Sequence, residues 1–224
     1  MTLLALIPAR GGSKRIPRKN IRLFCGRPLL QWTIDAACAL SCVDRVVVST
    51  DDPQIAEVAS DCGAEVPFLR PAELATDTAK GIAPVLHALE QLPQVSDVLL
   101  LQPTSPLRTS GDIEAIVSLR QLAGRESAVS LTPSSKHPAW MYSLSHDQRL
   151  ESFYTMTEFQ LTKQQSQVYA LNGALYLASR DFLMREQAFI GPETVGYVMP
   201  AERSVDIDTP FDWKLAEFLM EQQL

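Results

Sequence analysis

The chain is expected to fold as an α/β domain on a mostly parallel sheet, and three observations lead there. Short apolar runs of strand length, Leu3–Ile7, Arg45–Thr50 and Ser96–Leu101, recur along the N-terminal half. Helical stripes separate them, which implies βαβ units with right-handed crossovers. Each run then gives way to a polar loop, the place where parallel sheets bind ligands.

The first run, Leu3-Leu4-Ala5-Leu6-Ile7, reads as a strand buried on both faces. Pro8 turns it into a loop, Ala9 to Asn20, that holds two glycines and five cations. Gly11 and Gly12 lack Cβ, so the backbone can turn sharply and bring its N–H groups close to an anion. Arg10, Lys14, Arg15, Arg18, Lys19, Arg22 and Arg27 are seven of the twenty Lys and Arg, and no acid precedes Asp35, in a chain of net charge −6. So one-sided an opening suits phosphate, although a solvated basic turn also accounts for the cations. Neither the P-loop nor the dinucleotide glycine spacing is present.

Pro28 to Leu40 reads as a helix, with Leu29, Trp32, Ala36, Ala39 and Leu40 as its apolar stripe. After the strand Arg45–Thr50, Asp51-Asp52-Pro53 supplies an N-cap acid and a first-turn proline. Ala64–Phe68 is expected as a short strand, the region from Gly81 to Leu92 as a helix and Ser96–Leu101 as a buried strand. Gln102-Pro103-Thr104-Ser105-Pro106-Leu107-Arg108 follows as a stiff loop presenting an amide, two hydroxyls and a guanidinium.

From Pro133 to about Gln167 the alternation fails, and Trp140, Met141, Tyr142, Phe153 and Tyr154 give that segment an interface composition. Tyr169–Leu177 resumes as a strand, with Asn172-Gly173 as a turn signal at its start. In Ser204-Val205-Asp206-Ile207-Asp208 the alternation of an extended backbone turns Val205 and Ile207 inward and projects Asp206 and Asp208 together. Thr209, Pro210 and Asp212 then open the last helix as N-cap, first residue and third-position acid. Paired carboxylates suit Mg²⁺ bridged to phosphates, while support of the helix cap is the plainer alternative for one of them.

At 224 residues, 46% apolar and 21% charged, the composition is that of one globular domain. Cys25, Cys38, Cys42 and Cys62 lack zinc spacing and are expected as free thiols. The start of the chain has no secretory pattern and no apolar run reaches membrane length, so a cytoplasmic protein without membrane contact is expected. Net negative charge, with no aromatics interleaved among the cations, speaks against nucleic acid.

Taken together, Pro-Ala-Arg-Gly-Gly-Ser at 8–13, Arg-Pro-x-x-Leu-Ala-x-Asp at 70–77, Gln-Pro-Thr-Ser-Pro-Leu-Arg at 102–108 and Asp-Ile-Asp at 206–208 resemble the nucleotide-sugar cytidylyltransferases. The resemblance is strongest to the N-acylneuraminate (CMP-sialic acid) type, grouped with legionaminic and pseudaminic acid cytidylyltransferases, and it covers nearly the whole chain. It implies a three-layer, Rossmann-like nucleotidyltransferase fold of one domain, 1–224, with a dimerisation insertion at about 133–168 and a homodimer. It also implies CTP held by Leu6, Ala9, Arg10, Gly11, Gly12, Ser13, Lys19, Asn20, Arg70 and Asp77. A nonulosonic acid would lie against Gln102, Asn172, Tyr176, Phe189 and Lys163, and Mg²⁺ on Asp206 and Asp208. Arg10, Lys19 and Asp206 would carry catalysis. Phe189 has core packing as its alternative role.

Lys80-Gly81 stands where relatives often have Ser-Ser, and Lys163-Gln164-Gln165-Ser166 departs from the usual Arg-Gln-x-Leu-Pro. Two other readings stay open: transfer to an eight-carbon keto sugar acid, as in CMP-Kdo synthetases, and a nucleotide-sugar binding module without turnover.

Overall fold

The computed structural model describes residues 2–153 and 167–223. Strand β1 (Leu3–Pro8) is followed by a small antiparallel pair, β2 (Leu23–Phe24) and β3 (Arg27–Pro28), and by helix α1 (Leu29–Cys38). Pro28 thus ends a strand and occupies the N-cap instead of opening the helix. Next come β4 (Arg45–Ser49) and α2 (Pro53–Asp61), whose N-cap Asp52 accepts from the N–H groups of Gln54 and Ile55. The strand expected at Ala64–Phe68 is reduced to two isolated parallel bridges, Val47 to Glu65 and Thr50 to Leu69. Helix α3 (Ala83–Gln91), strand β5 (Asp97–Leu101) and helix α4 (Ser110–Ala123) follow.

Beyond β6 (Ser127–Pro133), the strands β7 (Tyr142–Leu144) and β8 (Leu150–Ser152) pair with each other outside the main sheet. They leave Trp140, Met141, Tyr142, Leu144, Leu150 and Phe153 exposed. The chain returns through β9 (Tyr169–Ser179), α5 (Arg180–Glu186), β10 (Val195–Val198) and α6 (Pro210–Glu221).

The six-stranded sheet has the order β10-β6-β9-β5-β1-β4. All its pairings are parallel except those of β9, which runs antiparallel to both β5 and β6. Side chains alternate across it as extended backbone requires. Leu3, Ala5 and Ile7 pack on one face with Leu30, Ile34, Ile55 and Ile113 of α1, α2 and α4, while Leu4 and Leu6 pack on the other with Val85, Leu89 and Phe182 of α3 and α5. Each buried Leu, Ile, Val or Phe of these clusters contributes about 1.5–3 kcal/mol, which holds the helices to the two faces of the sheet.

Asn172-Gly173 lies inside β9, not at its start. Val129 pairs with Tyr176 and Leu131 with Leu171, so residues 172–175 bulge opposite Ser130. Gly173 makes this possible with φ +76°.

Arg108 faces the interior, not the ligand edge. It is 3% exposed, and its guanidinium donates to the carbonyls of Ala174 (2.7 Å) and Gln102 (3.4 Å) and to Thr33 Oγ1 (2.7 Å). Burial pushes its pKa down to about 9. It therefore works as a strut tying the loop after β5 to β9 and α1. Arg108→Met removes the guanidinium donor from the buried Ala174 carbonyl and Thr33 Oγ1, so we expect unfolding by denaturant to show a loss of about 2–4 kcal/mol.

Candidate active site

Three chain segments meet at the edge of the sheet where β1, β4 and β5 end, and each is pinned by one apolar anchor. Ile16 of the cationic loop, Leu107 of the loop after β5 and Ile207 of the segment before α6 share a buried cluster with Phe24, Leu29 and Trp213. Phe24 and Trp213 meet edge to face, their centroids 5.4 Å apart. Burying the anchors brings their polar neighbours around one cleft of about 590 Å³.

The cationic loop is held by its own backbone and by acids beyond β4. Asn20 Nδ2 donates to the Arg10 carbonyl at 3.0 Å, and the Gly11 N–H donates to Asp51 Oδ1 at 3.1 Å. A Cβ on Gly11 would fall 2.6 Å from Asp52 Oδ2, so only glycine passes there, whereas Gly12 has open space. Asp52 both caps α2 and pairs with Arg18. Asp51, read from the sequence only as part of a helix cap, holds the loop and also approaches Arg70 Nη2 at 3.5 Å. The signal for this was the doubled acid, since one carboxylate suffices to cap a helix.

The acids near the C-terminus come to the same place. Residues 204–208 join no strand, and the Ile207 N–H donates to the Thr104 carbonyl at 2.8 Å. Lys19 Nζ donates to the Ile207 carbonyl at 2.6 Å and to Asp208 Oδ1 at 3.2 Å, and Arg15 reaches Asp208 Oδ2 at 3.3 Å. The Thr104 hydroxyl, which donates to Gln102 Oε1 at 3.5 Å, lies near enough to Asp206 to favour its charged form. Even so, the Asp206 carboxyl lies above the usual carboxylate range, first through burial among neighbouring atoms and then through the like charge of Asp208.

The donor set fits magnesium: two hard carboxylates face a cationic loop, and Mg²⁺ takes one or two carboxylates with substrate phosphates and water. Among the described residues no group of three or more His, Cys, Asp or Glu is gathered to hold a metal by protein ligands alone.

On the opposite wall Arg70 is buried, and its Nε meets no hydrogen-bond partner among the described residues. Burial lowers its pKa, against the attraction of Asp51. Asp77 takes the two loop cations, Arg10 at 2.9 Å and Lys14, whose hydrogen bonds, Lys14 first, hold the carboxyl below its usual range.

Arg10, Ser13, Lys19, Asn20, Arg70, Asp77, Gln102, Asp206 and Asp208 thus all line the cleft. Leu6 and Ala9 are fully buried in the core, so their side chains do not reach it. Tyr176 lies on the Asp206 side, where burial and then that acid raise its phenol pKa, and its ring packs on Phe189 with centroids 5.6 Å apart. Phe189 belongs to the core cluster below the sheet, the packing role of its two expected ones. Asn172 is buried and committed. Its Oδ1 accepts from Ser130 (2.6 Å) and the Ala174 N–H (3.2 Å), and its Nδ2 donates to Ser204 Oγ at 2.9 Å. Lys163 lies outside the described residues.

A family model described as "Cytidylyltransferase" matches residues 4–191. The CMP-N,N′-diacetyllegionaminic acid synthase of Legionella pneumophila is 41% identical over 99% of this chain and 97% of the relative. The N-acylneuraminate cytidylyltransferase of Escherichia coli is 34% identical over 99% of this chain, which spans only 52% of that relative's length. Among solved structures, a CMP:2-keto-3-deoxy-manno-octonic acid synthetase complexed with CTP superposes with a TM-score of 0.76 over the full length of both chains, at 19% identity, a likeness of fold.

The two loop glycines separate by a simple substitution pair. We expect Gly11→Ala to lose about 1–3 kcal/mol of stability through its clash with Asp52, and Gly12→Ala to stay within about 0.5 kcal/mol of the unaltered chain, as read by urea unfolding.

Proposed function

The chain belongs to the cytidylyltransferase family, and on that premise we propose that it joins the CMP moiety of CTP to the anomeric hydroxyl of a nonulosonic acid, releasing pyrophosphate. The observation that carries the chemistry is the contact of Lys19 with the Ile207 carbonyl and Asp208. It places a phosphate-type loop and a pair of carboxylates on one cleft. The Legionella relative, identical at 41% of positions, makes N,N′-diacetyllegionaminic acid the first acceptor to try.

Arg10, Lys14 and Lys19 of the loop receive the triphosphate, the Gly11 N–H being held by Asp51 instead, and Arg70 faces its nucleoside end. Gln102 and Tyr176 border the acceptor. The acceptor oxygen bonds to the α-phosphorus as the bond to the β-phosphate bridging oxygen breaks, and pyrophosphate leaves with that electron pair. Asp206 is the carboxylate placed to take the hydroxyl proton. Magnesium on Asp206 and Asp208 would neutralise the charge on the phosphate oxygens. Positioning and charge compensation are most of what such a transfer needs.

Pyrophosphate release from CTP and Mg²⁺ with a panel of legionaminic, pseudaminic and N-acetylneuraminic acids tests the reading, and release with none of them overturns it. Asp206→Asn should abolish that release yet raise the melting temperature of the nucleotide-free protein. A carboxyl whose pKa the fold raises is penalised in its charged form at neutral pH, and the amide escapes that penalty.

The apolar arm of β7 and β8 supports a homodimer, because Tyr142, Leu144 and Leu150 are exposed on it. Light scattering should give twice the chain mass, falling to a single chain for Tyr142→Asp combined with Leu150→Asp.

A further inference from the structure

Segment 204–208 pairs with no strand, yet the site depends on where Asp206 sits. Downstream the segment is held through main-chain atoms: the Ile207 N–H on Thr104, the Ile207 carbonyl under Lys19, and the Asp208 N–H on Asp212 Oδ2 at 3.2 Å. Upstream, the backbone parts from the sheet at Met199, just after β10, whose N–H donates to the Leu131 carbonyl of β6. From there to Asp206 the hydrogen bonds to the rest of the fold, among the described residues, come from side chains. Asn172 holds Ser204, and Arg203 holds Asp112 at the start of α4.

The Arg203 contact is built unlike a surface pair. Asp112 is 1% exposed, and its Oδ2 already accepts from the N–H and hydroxyl of Thr109 in the helix cap. Arg203 adds Nε at 3.0 Å and Nη2 at 2.8 Å, a two-pronged grip, and the Tyr197 hydroxyl donates to Oδ1 at 2.9 Å. Despite its burial Asp112 is held below the usual carboxylate range, with the Arg203 hydrogen bond the largest of the favourable causes. A helix cap alone needs neither prong. A planar fork locked onto a buried carboxylate fixes direction as well as distance, and the chain reaches Asp206 three residues later.

We propose that Arg203, gripped by Asp112, is a positioning residue that sets Asp206 for metal-supported transfer; this rests on reading Asp206 and Asp208 as the magnesium carboxylates. Asp112 is unsuitable for the test because it also caps α4, so the substitutions are made at Arg203.

Calorimetry with a non-reacting α,β-methylene analogue of CTP, with and without Mg²⁺, is run beside the Mg²⁺ dependence of pyrophosphate release. For Arg203→Met we expect metal-free analogue affinity within about twofold of the unaltered protein and a half-saturating Mg²⁺ concentration raised about tenfold, the scale for partners that orient metal ligands. The gain in analogue affinity on adding Mg²⁺ should shrink by a like factor. Arg203→Lys keeps the charge without the fork. It should shift Mg²⁺ dependence in the same direction by less, and it carries the test if the Met variant does not fold.

An unchanged Mg²⁺ dependence in both variants overturns the proposal. So does a parallel fall in metal-free affinity and metal dependence, which marks a role in folding only. If the unaltered protein shows neither pyrophosphate release nor a Mg²⁺-dependent gain in affinity, the functional reading itself fails, and this inference with it.

Discussion

The site depends on a compensation of charge that no single segment can provide. The opening loop crowds five cations into twelve residues, 9–20, and like charges so close repel. The fold answers with carboxylates from three distant places: Asp51 and Asp52 after β4, Asp77 before α3, and Asp208 before α6. Apolar burial does the gathering, since Ile16, Leu107 and Ile207 enter one cluster and carry their charged neighbours with them. Hydrophobic burial is not directional, so it can collect segments, but it cannot aim a carboxylate. Aiming falls to the hydrogen bonds around Lys19, Thr104 and Arg203.

This division of labour leaves the cleft ready for an anion. The pairs of Arg10 and Lys14 with Asp77 are exposed on both partners, and such pairs contribute little in solvent. A polyphosphate can therefore take over those cations at little cost. Arg70 and Arg108 are different, because both are buried. Arg108 spends its terminal nitrogens on the Ala174 carbonyl and Thr33 inside the fold, while Arg70, among the described residues, has only Asp51 at 3.5 Å for its own and lines the cleft. Two arginines of similar burial thus serve opposite ends, one structural and one open to a ligand.

Much of the architecture was legible because its causes are local. The unbroken apolar run of β1, buried on both faces, the caps at Asp52 and Thr209, and the stiffness of the two-proline loop follow from side-chain chemistry within a few residues. Val205 and Ile207 turn inward and Asp206 and Asp208 outward, the alternation expected from the sequence, even though the segment has no strand partner. The short strand at 64–68 was over-read, since β-branched and aromatic residues fit an edge position whether or not the ladder is completed.

By itself the sequence determined the element types, the cationic loop, the paired acids and the family to which their order belongs, since each rests on residues adjacent in the chain. Only the tertiary structure decided that β9 runs against its neighbours, that Asn172 is consumed within the fold, that Arg108 points inward, and that Asp51 and Arg203 hold the site from behind. Those outcomes turn on which distant groups arrive within about 3 Å of one another. Local propensity carries no record of a partner that lies scores of residues away.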